Sequence, residues 1–409
     1  VGVAFKDLGK VEEALLAYDK ALSLKEDYTE AFNNMGNAFI DQGKIEKAIE
    51  AYDKALSLNP NYADAYNNMG VALQGQGKLE KAIEFYHKAL LIKPDYAESY
   101  HNMGNTLKDQ SELEKAVEAY NKALSLKPNW AEAYNNLGLT LQDLCKFNEA
   151  IEAYNRALSL NPDYAEAYNN LGITFQNQNK IEEAIECYNK AVVLKPNFAE
   201  AHNNLGISFK DQGKLDEAID SYNKALLLVP DYSDAYNNMG NAFKYKGKLN
   251  KAIESYNNAI SINPNYAKGF VNLGVAFRYQ GKLDKAIEAY NKALSLKPDY
   301  IEAYYNLGNA LADQGKEDEA IEAYEKALSL KPDYEAARVQ KLYQQANICD
   351  WHSIEKDRKL IPSLGISEKH INPLAILSLE DAPERHYMRS RIYAKNNFPE
   401  KPMSFPTKK

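Results

Sequence analysis

Residues 63–96 read ADAYNNMGVALQGQGKLEKAIEFYHKALLIKPDY, and their pattern of glycine, alanine and tyrosine returns at a constant interval along the chain. Glycine sets the interval, because it recurs every 34 residues without a slip. A period of 34 residues is typical of a solenoid unit that contains two helices. The sequence therefore predicts a stack of helical hairpins, marked by Gly2, Gly36, Gly70, Gly104, Gly138, Gly172, Gly206, Gly240, Gly274 and Gly308.

Small and aromatic residues follow each of these glycines at fixed distances. In the quoted unit they are Ala82, Tyr86 and Ala89, which are four and three residues apart. That spacing places all three on one face of a helix. A glycine inside a helix costs about 1 kcal/mol relative to alanine. Its repeated use at this position indicates that the partner helix must approach closely.

The turns between the helices are also marked. Seven units carry a second glycine seven residues after the first, as at Gly77, where a left-handed residue would end the first helix. Ser111, Cys145 and Asn179 take this place in the other three units. Proline ends each second helix, and residues 95–98, Asp-Tyr-Ala-Glu, form a capping-box pattern that predicts the start of the next helix.

These positions match the signature of a known repeat family. The chain resembles the tetratricopeptide repeat family over nine whole repeats, residues 29–334, which follow a truncated unit at residues 1–28. The resemblance implies an all-α fold, a right-handed α-α superhelix with a short irregular C-terminal extension, in which stacked hairpins leave an extended concave surface. The matching residues of one repeat are Tyr66, Met69, Gly70, Leu73, Ala82, Tyr86, Ala89 and Pro94.

One polar column should line that concave surface. Asparagine stands two residues before the glycine in every complete repeat, although it is a poor helix former. Its carboxamide offers both donors and an acceptor, so it can pair with the N–H and C=O of a peptide bond. Equivalent residues of neighbouring repeats lie about 10 Å apart, which is about three residues of an extended peptide. The predicted peptide-binding ladder is Asn34, Asn68, Asn102, Asn136, Asn170, Asn204, Asn238, Asn272 and Asn306.

The ladder has a structural alternative, since the column could be a relic of duplication or could bridge adjacent helices. The preceding column varies, with His101, Val271 and Tyr305 among its asparagines, so we favour ligand binding and expect the ladder to contribute little to stability. Acids stand four residues before the ladder in eight of nine repeats, Lys268 being the exception, and Asp stands seven residues after it in five repeats. The groove should therefore favour neutral or basic segments.

Composition excludes several other classes of function. The net charge of −8 disfavours nucleic acid as a partner, and no apolar run is long enough to cross a membrane. The three cysteines are far apart, with no histidine at metal-ligand spacing, so no metal site is predicted and a reducing, cytoplasmic location is expected. We identify no catalytic residues and no cofactor in this chain. The expected partners are extended or unstructured protein segments.

The periodicity ends after Tyr334. We predict a capping helix at residues 335–348, a non-repeat extension at 349–395 and a linker-like end at 396–409. An asparagine column followed by Cys349, Asp350 and Trp351 resembles the O-linked N-acetylglucosamine transferases and the SPINDLY proteins of plants. Their His-rich segment has no match here, because the comparable residues 372–375 read Asn-Pro-Leu-Ala.

That second resemblance implies a function. In those enzymes the repeats hold protein substrates along the asparagine ladder and present them to a glycosyltransferase domain that uses a nucleotide-sugar donor such as UDP-GlcNAc. The chain begins with Val1 in the middle of a repeat and lacks that domain, so it is expected to be a fragment of such an enzyme, truncated before the catalytic domain. The alternatives are a non-enzymatic interaction scaffold and the front end of a different enzyme. The acidic column disfavours a clamp for terminal carboxylates.

Overall fold

The computed structural model describes residues 1–366, 373–377 and 379–397. These residues form α-helices and two short 3-10 helices with no β-strand among them, so the predicted all-α fold is confirmed. The chain divides into two compact units, residues 1–208 and residues 209–409. Each unit is a stack of antiparallel helical hairpins, as the 34-residue period predicts.

The helices alternate between the first and the second arm of each hairpin. Odd-numbered helices are first arms and even-numbered helices are second arms up to α20. In chain order they are α1 (Gly2–Asp7), α2 (Val11–Leu24), α3 (Thr29–Asp41), α4 (Ile45–Leu58), α5 (Ala63–Gly75), α6 (Leu79–Ile92), α7 (Ala97–Asp109), α8 (Leu113–Leu126), α9 (Ala131–Asp143), α10 (Phe147–Leu160), α11 (Ala165–Asn177), α12 (Ile181–Leu194), α13 (Ala199–Asp211), α14 (Leu215–Leu228), α15 (Ser233–Tyr245), α16 (Leu249–Ile262), α17 (Ala267–Tyr279), α18 (Leu283–Leu296), α19 (Ile301–Asp313), α20 (Glu317–Leu330), α21 (Glu335–Asn347), α22 (Trp351–Asp357) and α23 (Pro383–Asn397).

In nine hairpins a tyrosine ring of the second arm lies on a glycine of the first arm. A Cβ atom added to Gly70 would come within 2.6 Å of Cε1 of Tyr86, which is closer than carbon atoms approach. Tyr86 is fully buried, and so are Ala82 and Ala89 on the same helix face. The close helix approach predicted from the glycine column is therefore confirmed, and the same contact closes the hairpins at Gly36 and Tyr52, Gly138 and Tyr154, and Gly274 and Tyr290.

The two arms of the hairpins form different layers within each unit. Consecutive odd-numbered helices contact one another, as α3 does with α5 and α15 does with α17, in addition to packing against their own second arms. The odd-numbered helices therefore make a continuous layer, and they carry the predicted asparagine ladder. This layer is named the ladder layer below.

The turns adopt the left-handed conformation that the sequence predicts. Gly77 has φ of +72°, and Ser111, Cys145 and Asn179 have φ of 62°, 58° and 60° at the equivalent place. A left-handed conformation costs a residue with a Cβ about 1–2 kcal/mol. Cys349, at the end of α21, has φ of 60° as well, so the turn recurs beyond the last regular repeat.

Replacing Cys145 by glycine should stabilise the protein. Relief of the left-handed strain exceeds the entropy that glycine adds to the unfolded chain, so we expect the free energy of unfolding to rise by about 0.5–1 kcal/mol. Urea titration followed by circular dichroism measures the change. The reverse substitution, Gly77→Ala, should lower stability by a similar amount, because open space surrounds Gly77 and only the backbone strain changes. If the urea midpoints of both variants equalled that of the unaltered protein, the left-handed conformation would not be strained at these positions.

The predicted capping box is wrong. Helix α7 begins at Ala97 with Tyr96 as its N-cap residue, and no side chain caps it. Tyr96 packs against the hydrophobic core of the first unit, so packing of an aromatic ring, rather than a capping hydrogen bond, fixes where the helix starts. In the equivalent loop between α4 and α5, a polar side chain acts locally instead: the Asn59 side chain accepts a hydrogen bond from the Asn61 N–H at 3.0 Å.

The buried phenols find their hydrogen-bond acceptors in two ways. Where asparagine directly follows the packing glycine, it accepts from the phenol, as Asn37 does from Tyr52 at 2.7 Å. In three repeats where that residue is aliphatic, glutamine four residues after the glycine accepts instead, as Gln176 does from Tyr188 at 3.0 Å. Burial raises the pKa of the Tyr52 phenol, so it remains a donor. The Tyr290 hydroxyl is buried without a partner within the described residues.

This difference predicts unequal effects of removing the hydroxyl. Tyr52→Phe breaks a hydrogen bond and should lower the free energy of unfolding by about 1 kcal/mol. Tyr290→Phe removes a buried oxygen that has no partner, so stability should stay constant or rise. Parallel urea titrations compare the two variants, and an equal loss in both would show that the asparagine acceptor contributes nothing.

The segment after the repeats folds into a small cap. Its core joins Val339 and Leu342 of α21 to Ile354, Ile361 and Ile376. The fully buried guanidinium of Arg389 on α23 donates to the backbone oxygens of residues 364 and 361 at 2.7 and 2.9 Å. Helix α23 runs through residues 396 and 397, and the rest of the predicted linker-like end, residues 398–409, lies outside the described residues.

Candidate peptide-binding surface

The ladder asparagines lie in the ladder layer, near the middle of their helices. All nine are partly exposed, whereas the residue before each of them is buried in most repeats. Asn135 and Asn169, for example, are 5% and 1% exposed. The two neighbouring asparagines of a repeat therefore occupy different environments, one inside the layer and one at its surface.

Five of the surface asparagines are each tied to the buried asparagine of the repeat before them. The Nδ2 of Asn170 donates to the Oδ1 of Asn135 at 3.0 Å, between residues that are 35 apart in sequence. The same bond links Asn68 to Asn33 at 3.0 Å, Asn102 to Asn67 at 3.1 Å, Asn204 to Asn169 at 3.1 Å and Asn272 to Asn237 at 2.8 Å. The ladder thus joins successive helices of the layer.

Two further ladder asparagines follow the same logic of acceptors. His101 replaces the buried asparagine in one repeat, and its Nε2 lies 3.1 Å from the Nδ2 of Asn136. Burial lowers the pKa of His101, so a neutral ring can accept this hydrogen bond. Val271 has no acceptor, and Asn306 turns back to donate to the backbone oxygen of Glu302 at 2.8 Å.

The expectation that the ladder contributes little to stability is therefore corrected. Removing a ladder amide leaves a buried acceptor such as Asn135 without its partner, which costs about 1–3 kcal/mol. From the sequence alone, the buried column is predicted only as a variable neighbour of the ladder. The position of this column in the helical repeat could have indicated its role. A polar residue directly before the ladder falls on the inner side of the helix and needs a hydrogen-bond partner there.

The bridging bond uses only part of each ladder amide. A carboxamide has two N–H donors and an oxygen with two lone pairs, and the bond to the preceding repeat takes one N–H. Asn170 and Asn204 are partly exposed, so part of each amide is open to a ligand. At Asn68 and Asn136 the side-chain oxygen accepts from the asparagine before it, at 3.3 and 3.4 Å. The bond to the preceding repeat also holds the amide in one orientation, so the surface presents oriented amides at several ladder positions.

The acidic columns are largely engaged within the protein. Asp41, Asp143 and Asp313, at the ends of their helices, pair with a cation 35 residues earlier, in Lys6 at 3.4 Å, Lys108 at 3.6 Å and Arg278 at 2.6 Å. In the acidic column four residues before the ladder, Lys195 pairs with Glu166 at 2.6 Å and holds the pKa of that carboxyl below its usual value. The predicted acidity of the surface is thus partly neutralised.

A layer of stacked hairpins with a polar, partly exposed column defines a helical-repeat protein. A family model described as TPR repeat matches residues 2–40, 36–77, 146–179, 177–213, 208–244, 240–278 and 276–315. Further tetratricopeptide repeat models match residues 61–129, 130–161 and 301–334. The chain belongs to the tetratricopeptide repeat family, and it is a protein-interaction array of that family.

Solved structures resemble parts of the chain or its whole length. MamA is 33% identical, with a TM-score of 0.36, over 40% of this chain and 95% of its own. YrrB, described as a TPR protein with an unusual peptide-binding site, is 25% identical, with a TM-score of 0.37, over 46% of this chain and 96% of its own. A chain of the APC/C hetero-tetramer Cut9–Hcn1 is 16% identical, with a TM-score of 0.48, over 96% of this chain and 94% of its own.

A comparison with curated protein sequences gave no match. Among the described residues, no helix has the length and apolar character needed to span a membrane.

Proposed function

We propose that the ladder layer binds extended segments of other proteins through the asparagine ladder. The observation that supports this is the state of the ladder amides: they are partly exposed, and in most of the described repeats a bond to a buried side chain of the preceding repeat orients them. An amide held in this way pays little further entropy when it pairs with a peptide group. Binding to backbone atoms would accept many ligand sequences, which suits an array that handles several clients.

The affinity expected from such a ladder is moderate. Each engaged amide contributes on the order of 1 kcal/mol, since hydrogen bonds to water are exchanged for hydrogen bonds to the ligand. Half a dozen amides would give dissociation constants near the micromolar to sub-millimolar range. Clients would therefore bind and dissociate readily.

Two triple variants can separate ligand binding from the bridging role. Replacing Asn102, Asn170 and Asn204 by alanine removes three ladder amides together with their bonds to the preceding repeats. We expect the affinity for an unstructured, uncharged, end-blocked peptide to fall about 100-fold, as three lost contacts of about 1 kcal/mol imply. Fluorescence anisotropy of the labelled peptide measures this.

The matched control breaks the same three bonds from the other side. Replacing Asn67, Asn135 and Asn169 by valine, the residue that the chain itself has at Val271, leaves the ladder amides in place. Both variants should lose stability, but the alanine variant should lose much more affinity, because the valine variant keeps the ladder amides and loses only the bonds that orient them. Equal affinity in the two variants would show that the ladder is structural and that peptide binding lies elsewhere.

The motif Cys349-Asp350-Trp351 favours a more specific function. On its resemblance to O-linked N-acetylglucosamine transferases, we propose that the captured segments carry Ser or Thr and that an associated domain transfers a sugar to them from a nucleotide-sugar donor. Two of the three residues have structural roles here, because Cys349 forms the turn and Asp350 caps α22 by accepting from the Ser353 N–H at 3.1 Å. Trp351 is 56% exposed and has no such role.

The coding sequence downstream of Lys409 tests this proposal. We expect it to encode a nucleotide-sugar-binding domain, and the joined protein should transfer radiolabelled N-acetylglucosamine from UDP-GlcNAc to a Ser-containing client. A stop codon directly after Lys409, or a domain of different chemistry, would overturn the glycosyltransferase and leave an interaction scaffold.

A further inference from the structure

The ion pairs at the ends of the odd-numbered helices follow one register. A cation on one helix pairs with an aspartate 35 residues later, on the next helix of the ladder layer. Lys108 and Asp143 show the pattern in the first unit, and Arg278 and Asp313 show it in the second. In each of these three pairs, the 35-residue spacing places a carboxylate beside the cation.

The register is broken twice in succession in the second unit. Tyr245 and Tyr279 stand 35 residues after Lys210 and Lys244, where the pattern requires aspartate. Lys210 pairs instead with Asp211, its neighbour in sequence, at 2.8 Å. Within the described part of the chain, no carboxylate lies within 4.0 Å of the Lys244 ammonium. Lys244 therefore lacks the aspartate partner that the 35-residue pattern predicts, because Tyr279 stands in its place.

The surroundings of Lys244 make that missing partner costly. Lys244 is only partly exposed, and its ammonium lies 5.3 Å from the centre of the Tyr245 ring. Burial lowers its pKa, and the charge of Lys210 lowers it further, so the ammonium gains from any anion that reaches it. Tyr245 and Tyr279 are 68% and 67% exposed, which is unusual for aromatic rings without a partner.

A second column of charged residues changes sign on α17, the helix that ends at Tyr279. Lys268, near the start of α17, is exposed and replaces the acid that the other eight complete repeats carry four residues before the ladder. Helix α17 therefore has Lys268 near one end and Tyr279 at the other, while Lys244 lies on α15, the helix that α17 contacts in the ladder layer. We name Lys244, Tyr245 and Tyr279 the basic–aromatic patch, and Lys268 lies at the opposite end of α17 from it.

We propose that the basic–aromatic patch binds an acidic segment of a protein ligand, with an aspartate or glutamate side chain of the ligand taking the place of the missing aspartate beside Lys244. The aromatic rings cover the apolar stem of that side chain. The site is short, because the exposed acids Asp234 and Glu302 stand on α15 and α19 in the column that Lys268 interrupts. They repel a long polyanion such as a nucleic acid and admit a peptide with one or two carboxylates.

The proposal rests on the proposed function, since it places part of a bound segment on the same layer, and it adds a preference for charge. The ladder selects a ligand by its backbone, whereas the patch selects an acidic position within it. A client with a local acidic residue in a neutral stretch fits both.

A pair of end-blocked, labelled peptides tests the preference. One carries two glutamates in an uncharged background, and the other carries glutamines in their place, so that no terminal carboxylate is present. For the whole chain we expect the glutamate peptide to bind roughly tenfold more tightly in anisotropy titrations, because a charge-assisted hydrogen bond is gained. Raising the salt concentration should reduce that ratio.

Substitutions identify the residue responsible. Lys244→Met keeps the length of the side chain and should bring both peptides to equal affinity. Tyr279→Asp restores the carboxylate of the register and should do the same by occupying Lys244, while Tyr279→Phe should keep most of the preference. Lys108→Met is the matched control: Lys108 is already paired with Asp143, so the preference should not change.

The outcomes separate this inference from the proposed function. Equal binding of the two peptides to the unaltered chain, or the same loss in Lys108→Met as in Lys244→Met, overturns the basic–aromatic patch and leaves the asparagine ladder standing. Binding of neither peptide overturns both. An oligonucleotide of matching charge that competes as well as the glutamate peptide would assign the patch to nucleic acid and also overturn the proposal.

Discussion

The contact between a glycine backbone and a tyrosine ring sets the spacing of the hairpins in which the structure shows it, as at Gly70 and Tyr86. Because no Cβ separates them, the two arms come close enough for the ring to be fully buried. The buried ring then brings its hydroxyl into the hairpin, where it needs an acceptor. For seven of the rings the chain supplies that acceptor from asparagine beside the glycine or from glutamine one helical turn later, so in these hairpins a packing contact determines polar residues of the ladder layer.

Two rows of polar contacts then join the hairpins within each unit, and both connect residues 35 apart. One row pairs surface and buried asparagines, and the other pairs cations with aspartates. Each row links only adjacent repeats, so the polar contacts are local, as expected for a solenoid. The rows differ in what they leave at the surface: the asparagine row keeps hydrogen-bonding groups exposed, whereas the ionic row neutralises its own charges except near Lys244.

The period, the close helix approach and the left-handed turns could be predicted from the sequence because each depends on one residue type at a fixed position. The helix starts could not, since a tyrosine fixed by packing replaces the expected cap at Tyr96. The asparagine column lies on the first arms, as the sequence predicts, but its bond to the preceding repeat was the disfavoured alternative, because one sequence does not show which of two adjacent asparagines is buried. The burial of Arg389 could not be predicted either, because its acceptors include backbone oxygens, which leave no signal in the sequence.

The constant 34-residue period also bears on how such an array can change in length. Within the first unit, the residues at equivalent places are nearly interchangeable, and each repeat recognises its neighbours through the same few atoms. Excision or duplication of one period by unequal recombination would join surfaces that already fit, with no new loop and no orphaned core. The length of the ladder layer therefore changes in whole repeats, and a lineage could lengthen or shorten that layer without redesigning a single contact.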